Sequence, residues 1–323
     1  MVWEMMAANL LDIPVLCFFL GMAAVFCKSP LHFPSGVHDF FAVYLLFALG
    51  LKGGVQLSRM PLSVMLWPAI GTLAIAVITP LHSFVFARFF GRMERHQAAA
   101  LAAHYGSVSV VTFMAAQHYT EMLGLGSHPM MTVLTVLLEV PAIIIALALA
   151  QPSDGTGNLG PAVAKVLRSK SVVLLLGGVL VGYLGGAESF QKVKMFFQEP
   201  FYGFLSFFLL EMGVIAAERL SDLRRFGRFI VIFGTVVPML HGALGVCVGW
   251  LVGMDIGSTV VLAALAASAS YIAAPAAVRM VLPHLSPTMY LASSLGVTFP
   301  FNIAIGLGLY HALALRIFSY GSY

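Results

Sequence analysis

Two short runs of small polar residues are the chain's best candidates for chemistry: Gly106-Ser107-Val108-Ser109 and Ser268-Ala269-Ser270. Each follows an alanine-rich stretch, Ala98 to Ala103 and Ala263 to Ala267, that favours close helix contact. Glycine and clustered hydroxyls are where such a helix breaks, Gly106 in the first run and Pro275 beyond the second being the expected points. A break leaves unpaired amides at the start of the second half, a positive end of about half an elementary charge. Two such ends facing each other, with four serine hydroxyls, suit a small monovalent oxyanion. On this reading Gly106, Ser107, Ser109, Ser268, Ala269 and Ser270 bind the anion. The plainer alternative is that these small residues only pack helices tightly.

A second set could hold a cation. Glu139 precedes Pro141, and Thr298 precedes Pro300 and Asn302. A carboxylate, a hydroxyl and an amide oxygen beside prolines that free backbone carbonyls are hard ligands of the kind sodium takes. Thr112, three residues after Ser109, joins Glu139, Thr298 and Asn302 as the expected sodium ligands. Glu139 has the alternative of a protonated carboxyl bonded to a neighbouring helix. Glu211 and Lys52 also fall in apolar spans, where an interhelical partner or snorkelling accounts for them equally well.

Other chemistries find no footing. The ten histidines include no His-x-x-x-His or His-Glu-x-x-His pair, so no transition-metal site is expected. His82 and His241, each beside a proline, are assigned to helix packing. His104 and Ser107 lack the nucleophile elbow and orienting aspartate of a hydrolase, and no phosphate loop is present. The expectation is a protein that is not an enzyme and carries no organic cofactor. Cys17, Cys27 and Cys247 have neither metal nor redox spacing and are read as packing residues.

The elements that position these groups repeat. Leu101 to Ser109 aligns with Leu262 to Ser270 at a shift of 161; Gly50, Leu57 and Ser58 align with Gly213, Leu220 and Ser221 at 163. His82 with His241, and Pro141 with Pro300, align at 159. Sixty percent of residues are apolar and 9 percent charged, against roughly 45–50 and about 25 percent in soluble domains. Met60–Ala87, Phe229–Met254 and Met280–Leu315 are free of Asp, Glu, Lys and Arg, each longer than the roughly 20 residues that cross a bilayer. The runs are continuous, not alternating, which excludes a barrel.

Ten spans fit: 8–27, 37–57, 63–87, 98–118, 129–151, 171–187, 201–218, 229–252, 258–278 and 287–315. The fold expected is an all-α integral membrane protein of ten transmembrane helices, two inverted five-helix repeats with helices 4 and 9 broken. Residues 1–151 are the first repeat, 152–170 a cytoplasmic linker and 171–323 the second repeat. An odd number of spans per copy inverts the second. Glu4 and Asp12 replace a basic leader, so the N-terminus reads as the start of span one. With both termini outside, 12 of the 17 basic residues face the cytoplasm, as the positive-inside rule requires. The net charge of +4 is thus topological, and no nucleic-acid partner is expected. Glu188 to Glu199, with Phe190, Val193, Phe196 and Phe197 at helical spacing, suits a short helix in the outer interface or an amphipathic loop.

The longer motifs Ala103-His104-Tyr105-Gly106-Ser107-Val108-Ser109-Val110-Val111-Thr112-Phe113, Leu138-Glu139-Val140-Pro141, Tyr271-Ile272-Ala273-Ala274-Pro275 and Gly296-Val297-Thr298-Phe299-Pro300-Phe301-Asn302 resemble the sodium-dependent bicarbonate transporter family of bacterial permeases. The resemblance implies a core domain (spans three to five and eight to ten, helices 4 and 9 crossing) that carries the substrate, and a gate domain that scaffolds it. It implies bicarbonate imported with sodium in the bacterial inner membrane, a homotrimer, and a cytoplasmic regulator similar to PII proteins. Carried over by residue, it places the anion at Ser107, Ser109, Thr112, Ser268 and Ser270. Tyr271 stands where cyanobacterial members have an aspartate, and Val111 where they have a serine. Transport of another small carboxylate, sodium/proton exchange, or an anion-binding receptor or channel are the alternatives.

Overall fold

Lipid offers a backbone amide no partner outside its own helix or a closed barrel, and this chain takes the first course. The computed structural model describes residues 9–150, 160–222 and 227–320, and among these every regular element is helical. We number them α1 (Ile13–Phe26), α2 (Ser35–Leu57), α3 (Leu66–Phe89), α4 (Arg95–Gly106), α5 (Val110–Met122), α6 (Met131–Ala150), α7 (Gly160–Leu167), α8 (Lys170–Gln191), α9 (Lys194–Phe197), α10 (Phe201–Asp222), α11 (Gly227–Leu251), α12 (Ile256–Ala266), α13 (Ala273–Val281) and the composite α14 (Thr288–Ser319).

Eight segments among the described residues are long and apolar enough to cross a membrane. The other two expected spans are shorter. α1 has 14 helical residues, about 21 Å at 1.5 Å per residue. Span nine is divided into α12 and α13 because residues 267–272 leave the helix. Pro275 is not the break: it lies in the first turn of α13, where an amide has no helical partner to lose. Of the expected linker 152–170, residues 152–159 lie outside the described residues, and Gly160–Leu167 forms the helix α7. The exposed faces of α3 (Trp67, Ile70, Leu73) and α8 (Leu176, Leu180, Leu184) are apolar, as lipid requires. Cys27 and Cys247 are exposed, so neither is a packing residue of the interior.

Glycine sets the packing. In the α2/α8 pair, a Cβ on Gly54 would sit 2.0 Å from the Val179 carbonyl oxygen, and one on Gly182 2.2 Å from that of Leu51. The α1/α10 pair is built alike, with Gly21 against the Leu210 carbonyl and Gly213 against that of Phe18, both at 2.0 Å. These backbones touch directly, as small residues permit. The remaining long helices form two further groups: α3 packs on α4 and α6, and α11 packs on α12 and α14. Where the groups meet, His82 Nδ1 and His241 Nε2 are 3.0 Å apart, so the two aligned histidines pack against each other.

The Glu188–Glu199 stretch departs from the expected boundary. α8 continues past 187 to Gln191 through a kink at Gly186, whose φ is 67°. The short helix α9 follows and lies on α2, Phe197 against Tyr44 and Phe47, with the Tyr44 hydroxyl donating to the Phe196 carbonyl.

Candidate functional site

α4 stops at Gly106, where a Cβ would meet the Pro80 ring at 2.7 Å. Close approach to α3, not only flexibility, therefore requires glycine there. Ser107 and Ser109 are extended, and the Ser109 side chain accepts from the Thr112 amide to start α5. In the second half, Ser270 Oγ accepts from the Ala274 amide in the first turn of α13. Ser109 is thus the N-terminal cap of α5, while Ser270, two residues before the cap position Ile272, takes up one first-turn amide of α13 from outside the helix.

The two breaks touch. The Ser109 amide donates to Ser268 Oγ at 2.8 Å, and the Ser270 amide donates to the His104 carbonyl at 2.7 Å. Ser268 passes its own proton to the Leu265 carbonyl at 2.8 Å. The serines are not equivalent: Ser268 Oγ both accepts and donates, while Ser107 Oγ is buried with no hydrogen-bond partner. His104 Nδ1 must donate to the Ala100 carbonyl, which can only accept, so its buried and unpartnered Nε2 is a lone pair in the neutral ring. Ser268→Ala would leave the buried Ser109 amide unpaired, at about 1–3 kcal/mol. A lowered thermal midpoint of the purified protein is the expected result.

A small cavity of about 10 Å³, room for about one water-sized particle, opens at this crossing. Ser109, Ser270 and Tyr271 line it from the breaks, Glu139 from α6 and Ser171 from the first turn of α8. Glu139 Oε2 is buried without a hydrogen-bond partner, and the Tyr271 hydroxyl is buried facing Ser109. Three helix N-termini, those of α5, α8 and α13, meet here and supply partial positive charge. Hydroxyl oxygens, a carboxyl group and a phenol, with Val108, Val110 and Ile272 between them, surround one particle-sized space and offer oxygen ligands to a small ion.

The residues expected as cation ligands are distributed. Glu139 shares the cavity with the serines. Thr298 Oγ1 donates to the Gly234 carbonyl at 2.8 Å, which Pro238, four residues on, leaves without a helical donor. That spends the Thr298 proton, so Tyr105 donates to Thr298 at 2.6 Å and Ser293 in turn to Tyr105 at 2.5 Å. The Asn302 amide donates to the Ala267 carbonyl at 2.9 Å, and its oxygen accepts from Tyr310. Asn302 thereby pairs a carbonyl at the end of α12, next to the break. The surrounding backbone is π-helical at 292–298 and 302–306. Thr112 is buried beside Ser109, its amide taken by the cap. Ala269 is buried within the second break.

Ser171 and the Tyr271 hydroxyl were not among the expected site residues. Ser171 follows the capping Ser169 in an ordinary helix start, and nothing in its neighbourhood marks it. Tyr271 directly follows Ser270 and had a signal, its adjacency to the second serine run. Glu211 and Lys52 both find interhelical partners: Glu211 Oε1 is 3.3 Å from His38 Nδ1, and Lys52 Nζ is 2.9 Å from Glu121. Among the described residues no three His, Cys, Asp or Glu side chains gather as a metal site.

Comparison with curated proteins gives no match. The profile of the Na+-dependent bicarbonate transporter superfamily matches residues 14–315, nearly the whole length, in agreement with the motifs around Ser107, Glu139 and Pro300. The chain belongs to the Na+-dependent bicarbonate transporter superfamily.

Proposed function

We propose that this protein imports bicarbonate by sodium symport, with alternating access at the crossed breaks. The observation that carries the reading is the convergence of Ser109, Ser270 and the unpartnered Glu139 oxygen on one small cavity at three helix N-termini. The anion docks on the amides and hydroxyls of the breaks, at Gly106, Ser107, Ser109, Ser268, Ala269 and Ser270. Sodium is held by Glu139 and Thr112, with Thr298 and Asn302 fixing the backbone around them. Moving a monoanion into a negative interior costs roughly 2.3 kcal/mol per 100 mV, and one accompanying sodium makes the step electroneutral.

The reading includes two inverted repeats, residues 1–151 and 171–323, joined by the linker 152–170. Its support is an exchange of packing partners: α2 on α8 is answered by α1 on α10, and α3 on α4 by α11 on α12. The glycine-seamed helices α1, α2, α8 and α10 form the gate, and α3 to α6 with α11 to α14 the core, which shifts against it. The inner membrane, a homotrimer and a PII-like cytoplasmic partner belong to the same proposal through the family, and both termini outside through the distribution of basic residues.

Uptake of isotopic bicarbonate into proteoliposomes tests it. Accumulation above equilibrium is expected with an inward sodium gradient, and its loss when choline replaces sodium. Uptake indifferent to sodium, or never exceeding equilibrium, refutes symport and leaves a channel or receptor.

A further inference from the structure

Away from the crossing, a vestibule of about 360 Å³ opens between α2, α5, α9 and α10. One face of α5 forms its wall, with Met114, Gln117, His118 and Glu121 at helical spacing. Continued one turn further, the same face reaches Val110, which lines the small cavity at the breaks. Val110 and Met114 are four residues apart, about 6 Å along the axis. Met114 lines the vestibule yet is only 1% exposed, and Val110 is buried behind it.

The rim of the vestibule is polar and tied across helices. His118 Nε2 lies 2.7 Å from Asp12 just before α1, and Glu121 pairs with Lys52 of α2 while accepting from the Tyr202 hydroxyl of α10. These contacts hold the α5 wall against three other helices, so in this conformation the vestibule stops at Met114. A vestibule with a polar rim that narrows onto one unbranched side chain, with the small cavity of the breaks one turn behind it, has the form of an access route closed by a plug.

We infer that the vestibule is the aqueous route to the crossed breaks for a small hydrated ion, and that the Met114 side chain is its closure. A methionine suits this place because three rotatable bonds let it swing aside without moving the backbone. The inference rests on reading the crossing as the ion site, and its test measures access alone. In protein whose Cys17, Cys27 and Cys247 are replaced by alanine, single cysteines at Gln117 and Val110 are treated with a charged, membrane-impermeant thiol reagent from each face of sealed vesicles. Gln117→Cys is expected to react from one face more than about tenfold faster than Val110→Cys, whose reaction needs a local opening. Adding Met114→Gly is expected to make Val110→Cys reactive from that same face, while Met114→Leu, which keeps the volume, leaves it protected. Val110→Cys that stays protected after Met114→Gly, that reacts only from the opposite face, or that is released equally by Met114→Leu overturns the inference, as does an unreactive Gln117→Cys. The reagent reports access without substrate, so absent bicarbonate uptake and absent labelling are separable failures.

Discussion

Glu139→Gln is expected to lower sodium-driven bicarbonate uptake by about 10- to 100-fold while leaving the protein folded. The substitution keeps shape and removes charge, and a hydrogen bond or contact to a charged group carries about 1.5–3 kcal/mol, which is that range of affinity at 1.4 kcal/mol per tenfold. Glu139 Oε2 has no hydrogen-bond partner within the protein, so no internal contact through that oxygen is lost and the fold has little at stake. Uptake measured against sodium concentration at fixed bicarbonate checks it. The half-saturating sodium concentration should rise, with an unchanged elution profile of the purified protein. A sodium dependence identical to that of the unmodified protein would remove Glu139 from the site.

The second large effect is on stability. Gly54→Ala places a methyl 2.0 Å from the Val179 carbonyl oxygen, and Gly213→Ala does the same against that of Phe18. Neither neighbour is a side chain that can turn away, so the helices must separate, at about 3 kcal/mol or at the upper end of overpacking costs. Gly203→Ala is the internal contrast. A Cβ there meets nothing within 4 Å, and α10 should gain about 0.5–1 kcal/mol from the better helix former. Thermal unfolding in detergent should therefore order the variants with Gly203→Ala highest and Gly54→Ala and Gly213→Ala far below the parent. Near-equal midpoints would mean that the seams are looser than their geometry.

Much of the architecture is legible because it is written in local composition. Long uncharged runs announce the helices, and Gly106-Ser107 and Ser268-Ala269-Ser270 mark the breaks. The hydroxyl at 109 caps the helix that restarts after it, and that at 270 accepts a first-turn amide of α13. The second break is misplaced at Pro275 because proline is tolerated in the first turn of a helix, so it follows an interruption instead of causing one. Glu139 is recognisable as a costly buried carboxyl, but its meeting with Ser109 and Ser270 depends on how α6 is rotated against the crossing. Thr298 shows the same limit. The expectation places its freed carbonyl beside Pro300 in its own helix, whereas the carbonyl it serves is Gly234, exposed by Pro238 in α11. Ser171 carries no signal, since only tertiary packing brings the start of α8 to the cavity.

The contact between His82 and His241 has a consequence for the junction of α3 and α11. Two residues that occupy aligned positions in the chain face one another across 3.0 Å, through Nδ1 of one ring and Nε2 of the other. In the neutral pair a single hydrogen lies in that gap, and it must belong to one ring. The two rings are therefore electrically unlike where α3 meets α11, and that contact has a direction from the donating ring to the accepting one.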